Sequence, residues 1–82
     1  MRFIERVLNQ LRELDRNPVE TFDYVEEVVW SDIRAELVGQ LAGWLDEEGH
    51  AKGITFEELL DMCRNISYAD VETLDDLLHQ LF

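Results

Sequence analysis

The sequence predicts an all-α protein, a compact bundle of four to five short helices that forms a single domain over residues 1–82. Apolar residues recur at spacings of three and four along most of the chain, which is the period of an amphipathic helix. The chain contains one proline and four glycines, and no segment alternates apolar and polar residues between turns as a strand would. A length of 82 residues leaves room for one modest hydrophobic core.

The first two helices are predicted on either side of Asn17 and Pro18. Helix one covers about residues 2–16, and helix two covers about residues 19–30. Asn is a favoured N-cap, and proline is tolerated at the first helical position because its missing N–H needs no partner there. The residues expected to face the core are Phe3, Val7, Leu11 and Leu14 in helix one, and Phe22, Val25, Val28 and Val29 in helix two.

A third helix is predicted over about residues 32–48. Ser31 either caps this helix or lies within one continuous helix that includes the preceding segment. The side chains expected to point inward are Ile33, Leu37, Val38, Leu41, Trp44 and Leu45. At about 100° per residue their arc covers more than half of the helix circumference, so we expect a central helix with neighbours on two sides.

Two further helices follow a loop that begins at Gly49, a natural C-terminal stop. Thr55 and Glu58 form a capping-box pattern, which predicts a fourth helix to about Asn65. A last helix is predicted to begin within residues 67–70. The inward residues of these helices are predicted to be Phe56, Leu59, Leu60 and Cys63, followed by Val71, Leu74, Leu77, Leu78 and Leu81.

The charge of the chain is strongly negative and unevenly distributed. The formal net charge is −12 and the pI is about 4.2; residues 1–16 carry +1 and residues 17–82 carry −13. Such a field opposes direct binding to nucleic acid or to an anionic membrane. It favours a partner with a basic surface, or an acidic surface that serves only to solvate the protein.

Clustered carboxylates give the most concrete functional hypothesis. Acidic side chains three or four residues apart on a helix are neighbours, so rows of them imitate the phosphates of a nucleic acid. The sequence therefore predicts a non-enzymatic inhibitor that occupies the basic nucleic-acid-binding surface of a partner protein, as anti-restriction and anti-CRISPR proteins of mobile elements do. The candidate contact residues are Glu57, Glu58, Asp61, Asp70, Glu72, Asp75 and Asp76.

The sequence offers little support for catalysis, a cofactor or a metal site. Cys63 lies on the inward stripe of its helix, while His50 and His79 belong to different elements. Residues 53–59 resemble the end of an EF-hand loop, with Glu58 at the last ligand position. The resemblance implies oxygen ligands at Gly49 and Ala51, which have no side-chain oxygen, so no calcium site is expected.

Residues 54–81 resemble a helix-turn-helix unit, whose second helix enters the DNA major groove. The positions that would face DNA hold Tyr68, Asp70, Glu72, Thr73, Asp75 and Asp76, and no Arg or Lys lies between Asn65 and Phe82. The resemblance therefore implies a degenerate unit without the DNA contact. It supports the alternative function, a structural or regulatory helical module.

Ala35, Gly39 and Gly43 follow one another at spacings of four and share one helix face. Glycine inside a helix costs about 1 kcal/mol relative to alanine, so two of them suggest close approach by another backbone. That backbone belongs either to a neighbouring helix of the same chain or to a second copy in a homodimer.

The expected compartment is the cytoplasm. No run approaches the roughly 20 apolar residues of a membrane span, and the charged residues at positions 2, 5 and 6 interrupt any signal-peptide pattern. A single cysteine requires no oxidising environment.

Overall fold

The protein is described by a computed structural model over residues 2–17 and 24–82. Within these residues it forms four helices and no strand, which confirms the all-α prediction. The helices are α1 (Phe3–Arg16), α2 (Tyr24–Glu47), α3 (Phe56–Asn65) and α4 (Leu74–Leu81). None of these helices is long and apolar enough to cross a membrane.

α2 is the central element of the bundle. It runs without interruption through Ser31, which is one of the two arrangements that the sequence left open. The predicted start of a helix at Pro18 and the predicted burial of Phe22 lie outside the described residues. α1 and α3 both pack against α2, as its broad apolar arc predicted.

The C-terminus of α2 ends in a Schellman motif. Gly49 has φ of 77°, its N–H donates to the carbonyl of Asp46, and the N–H of His50 donates to the carbonyl of Leu45. Glycine adopts this left-handed conformation without the Cβ clash of other residues. The predicted helix stop at Gly49 is therefore confirmed.

The core contains residues from all four helices, and it includes many of the residues that the sequence assigned to it. Each helix contributes one buried stripe, and Tyr68 and Val71 add to it from the segment before α4. The buried apolar residues are Ile4, Val7, Leu8, Leu11, Leu37, Val38, Leu41, Ala42, Leu45, Ala51, Leu59, Cys63, Tyr68, Val71, Leu77 and Leu81.

The first half of α2 is less buried than predicted. Val25, Val28, Val29 and Ile33 are 67%, 37%, 51% and 45% exposed, so their predicted inward orientation is wrong. The reason is orientation: α2 is one continuous helix of 24 residues, and at about 100° per residue Val25 and Val29 lie on the side opposite the buried Leu45. The C-terminal ends of α1 and α3 meet α2 near Trp30 and Arg34, and α2 continues beyond them.

Two phenylalanines predicted to be internal are also exposed, Phe3 at 48% and Phe56 at 45%. Each occupies the first position of its helix. In α1 the next residue, Ile4, is the one that enters the core, at 2% exposed. The predicted start of α3 is confirmed, since the Thr55 hydroxyl accepts a hydrogen bond from the N–H of Glu58 at 3.2 Å.

α4 begins later than predicted. Its N-cap is Thr73, whose hydroxyl accepts a hydrogen bond from the N–H of Asp76, and residues 66–73 form an irregular segment rather than the first turns of a helix. Eight residues therefore separate α3 from α4, against three or four in a helix-turn-helix unit. The segment buries Tyr68 and Val71 in the core, which gives it a structural role of its own.

Candidate functional site

Arg34 links three parts of the fold. Its Nε lies 2.9 Å from Oδ1 of Asp15, and its Nη2 donates to Oδ2 of the same carboxylate at 3.2 Å. Nη1 donates to the carbonyl of Arg64 and Nη2 to the carbonyl of Ile66. The planar guanidinium suits this arrangement, because its donors form a rigid fork.

Asp15 and Tyr68 complete the cluster around Arg34, here called the Arg34 node. Asp15 also accepts a hydrogen bond from the N–H of Tyr68 at 2.7 Å, and the Arg34 guanidinium lies 5.5 Å from the centre of the Tyr68 ring. The hydrogen bond to Asp15 raises the pKa of Arg34 above its ordinary value. The node thus fixes the end of α1 and the segment after α3 against α2.

The Arg34 node is engaged in internal contacts rather than poised for a ligand. Arg34 has five N–H donors, and its hydrogen bonds to Asp15, Arg64 and Ile66 use four of them. An open cleft beside it is lined by Trp30, Ser67 and other residues, and the Trp30 indole N–H is itself engaged with the carbonyl of Leu14. These contacts make the node a structural feature.

Tyr68 is fully buried and holds the end of α3. Its hydroxyl donates to the carbonyl of Cys63 at 2.6 Å, which satisfies a carbonyl in the last turn of the helix, where intrahelical partners run out. Burial raises the pKa of Tyr68 far above its ordinary value. The sequence analysis missed this role because it placed Tyr68 at the start of the last helix.

Cys63 is buried as the sequence predicted. Burial raises the pKa of its thiol to about 11, so the nucleophilic thiolate is scarce at neutral pH. Its neighbours are the core side chains and the Tyr68 ring. The thiol therefore behaves as a small apolar group.

The sequence contains a signal for the role of Arg34. Arg34 is the only cation in the sequence of α2, and it precedes the buried residues Leu37, Val38 and Leu41 by three, four and seven positions. A lone arginine on the inward stripe of an acidic helix indicates a buried carboxylate partner. The sequence could not say that the partner is Asp15.

The seven predicted contact residues are all exposed, and they lie on separate elements. Glu57, Glu58 and Asp61 belong to α3, Asp75 and Asp76 belong to α4, and Asp70 and Glu72 lie in the segment between them. Glu72 lines a small cleft together with Glu5 of α1, which brings two carboxylates of distant sequence to one place.

Some of these carboxylates also stabilise the helices to which they belong. Glu57 and Glu58 lie in the first turn of α3, and Asp75 and Asp76 in the first turn of α4. Negative charge near a helix N-terminus is stabilised by the helix dipole, typically by about 0.3–1 kcal/mol. Asp61 forms an exposed ion pair with Arg64 at 3.0 Å, so Asp70 and Glu72 are the contact candidates without either of these roles.

The small-residue face of α2 faces open space. Apart from the adjacent residues and the backbone of α2 itself, a Cβ atom placed on Gly39 or Gly43 would meet no atom of the described residues within 4 Å, and Ala35 is exposed. A close intramolecular crossing at these glycines, one of the two explanations offered by the sequence, is therefore absent from the described residues. A contact with a second copy stays a prediction.

The histidines and carboxylates do not converge. His50 stacks on Trp44 with ring centroids 5.4 Å apart, and His79 is exposed near the end of α4. Within residues 2–17 and 24–82 no group of three or more His, Cys, Asp or Glu side chains is arranged to hold a metal ion.

Comparison with known proteins returns no relative: no protein-family model, no curated protein and no solved structure matches this chain.

Proposed function

We propose that this protein is a cytoplasmic, non-enzymatic binding module that uses its acidic surface against a basic surface of another protein. In its most concrete form it is a small inhibitor, carried by a phage or another mobile element, that occupies a nucleic-acid-binding site. One observation carries the proposal: every carboxylate of the described residues is exposed except Asp15.

The balance between acids and cations supports this reading. Two cations of the described residues are ion-paired, Arg34 with Asp15 and Arg64 with Asp61. The remaining cations are Lys52 and the four arginines of the N-terminal segment. Exposed charge of one sign focuses an attractive field on a basic partner and accelerates association. The protein therefore has the electrostatic character of a polyanion on a rigid helical support.

The proposed contact surface consists of the seven acids between Glu57 and Asp76. Within it, Asp70 and Glu72 are exposed and lie outside the helices, so neither contributes to a helix start. Their negative charge has no function in the described packing, which favours an external one.

The test begins with capture from the source cell and continues with the purified captured protein. We expect the dissociation constant to rise at least about tenfold between about 50 and 500 mM salt, because exposed ion pairs are screened. We also expect nucleic acid to compete for the same partner. An affinity that is flat across this range, or simultaneous binding of nucleic acid, would contradict the proposal.

A matched pair of variants locates the surface. The variant D70N/E72Q/D75N and the variant D46N/E47Q/E48Q each remove three exposed carboxylates, so they change the net charge equally. If the proposed surface makes the contact, only the first variant weakens binding substantially at about 100 mM salt. Equal losses in both variants would mean that net charge alone drives association.

A second candidate function is a homodimeric structural or regulatory module. It is favoured by the open space at Gly39 and Gly43, since small residues allow two helices to approach closely. Sedimentation at tens of micromolar tests it, and a monomer would exclude it.

A further inference from the structure

α2 exposes a contiguous apolar surface, here called the α2 ridge, that consists of Val25, Val28, Val29 and Ile33. Val25, Val29 and Ile33 follow one another at spacings of four and lie along one side of the helix. Their exposed fractions are 67%, 51% and 45%, and that of Val28 is 37%. Single exposed aliphatic residues are normal on a protein surface, but a contiguous group of them marks an interaction site.

The α2 ridge continues into an open groove between α1 and α2. The groove has a volume of about 500 Å³, and its apolar lining comes from Leu14, Ile33 and Leu37. Glu13 lies at its edge and is exposed. Ridge and groove share Ile33, so together they form one surface with a raised part and a recessed part.

The charges around this surface are negative. In the sequence of α2 the acids Glu26, Glu27, Asp32 and Glu36 alternate with the apolar residues, and Arg34 is the only cation. Arg34 does not offset these acids outside, because its guanidinium is held by Asp15 and by backbone carbonyls. The complementary surface therefore combines apolar side chains with basic ones.

A second copy of this chain does not meet that description. It would place the same carboxylates of α2 opposite each other, and like charges in contact cost association energy. An amphipathic helix with a basic polar face does meet it, since its apolar side chains at i, i+3, i+4 and i+7 can enter a groove. The part of α2 from Val25 to Leu37 is about 18 Å long, which matches a partner helix of about three to four turns.

We propose that the α2 ridge and the α1–α2 groove bind one basic amphipathic helix of a partner protein. Apolar side chains of that helix fill the groove over Leu14 and Leu37 and cover Val29. Its lysines and arginines pair with Glu13, Asp32 and Glu36. The inference rests on the proposed function in one respect, that the partner is a basic protein, and it adds an apolar contact distant from the acids of α3 and α4.

The test uses a synthetic helical peptide of about 14 residues, with leucines on one face and lysines elsewhere. Its control has the same composition in an order that spreads the leucines around the helix. Each peptide is titrated into the full ¹⁵N-labelled chain. We expect saturable chemical-shift changes confined to residues 9–17 and 24–37, and about tenfold weaker binding of the control peptide, because charge alone gives little affinity.

Paired variants separate the ridge from general hydrophobicity. V29S/I33S is expected to weaken peptide binding about tenfold, since it removes two apolar anchors. F56S/F82S removes two side chains of similar exposure, 45% and 52%, and is expected to leave binding unchanged. All four side chains are exposed, and far-UV circular dichroism and the amide spectrum check that each variant is folded.

Several outcomes overturn the inference: equal affinity for both peptides, shifts confined to α3 and α4, or unchanged binding by V29S/I33S. Concentration-dependent dimerisation through Val29 would assign the surface to a second copy. Nuclear Overhauser contacts from residues 18–23 to Val29 and Ile33 would show that the chain covers it itself. The captured partner separates this inference from the proposed function. If D70N/E72Q/D75N loses binding and V29S/I33S does not, the proposed function stands and the helix site is refuted. If only V29S/I33S loses binding, the contact lies on the α2 ridge rather than on the acids of α3 and α4.

Discussion

Replacement of Arg34 by methionine tests how much the Arg34 node contributes to stability. The substitution keeps a long apolar side chain but leaves the Asp15 carboxylate, whose side chain is 8% exposed, without its cation. It also removes donors from the carbonyls of Arg64 and Ile66. Breaking a buried ion pair from one side costs about 3–5 kcal/mol.

The expected loss for R34M is about 3 kcal/mol, at the lower end of that range, because the Arg34 side chain is 16% exposed and water screens part of the interaction. A protein of 82 residues has a free energy of unfolding of roughly 4–12 kcal/mol, so the loss is a large share of the total. The conservative variant R34K is expected to lose about 1–2 kcal/mol, because an ammonium cannot hold both carboxylate oxygens and two carbonyls at once.

The assay is urea unfolding followed by circular dichroism at 25 °C, with R64M as the control. Arg64 forms the same type of ion pair with Asp61, but the two side chains are 57% and 68% exposed, so R64M is expected to cost about 0.5 kcal/mol or less. The double variant R34M/D15N should lose less than the two single losses combined, since it leaves no uncompensated charge. A loss for R34M within 0.5 kcal/mol of that for R64M would refute the assigned role of the node.

Three other expectations concern the core and the glycines of α2. Y68F is expected to cost about 1–2 kcal/mol in urea unfolding, because it leaves the Cys63 carbonyl without its donor, and a loss near zero would mean that water replaces the hydroxyl. Because burial raises the pKa of Cys63 to about 11, the folded state keeps a proton above pH 9 that the unfolded state releases. The free energy of unfolding therefore has its full value below about pH 9 and falls by on the order of 2 kcal/mol towards pH 11. An equally steep decline in a C63A variant would contradict this expectation. The same shift makes the thiol react with a disulfide reagent at pH 8 at least about a hundredfold more slowly in the folded than in the urea-unfolded protein. G39A and G43A are each expected to stabilise the chain by about 0.5–1 kcal/mol, because the added Cβ meets open space and alanine favours the helix. G49A is expected to destabilise the chain, because Gly49 has a φ of 77°. Destabilisation by G39A would reveal a close backbone contact.

The charge pattern has one physical explanation that requires no partner and one that does. Acids in the first turns of α1, α2, α3 and α4 are stabilised by the helix dipoles. Exposed acids outside those turns, such as Asp70 and Glu72, gain nothing from that effect. Experiments on the acidic surface are therefore most informative at those positions.

Local structure is predictable from the sequence wherever one short-range signal dominates. The Thr55 cap and Gly49 stop were predictable because each depends on neighbours a few residues away. The core stripes of α1 and of the second half of α2 followed from helical periodicity. The acidic character of the surface follows from composition alone, because charged side chains seldom leave water unpaired.

The tertiary structure alone decided the features that depend on distant residues. The pairing of Arg34 with Asp15 and the burial of Tyr68 join segments up to 53 residues apart, and no local pattern encodes such a contact. The exposure of Val29 and Ile33 likewise depends on which side of the continuous α2 faces α1 and α3. Periodicity identifies an apolar face, but burial requires a neighbouring element to cover it, and the positions of the packed helices determine which side is covered.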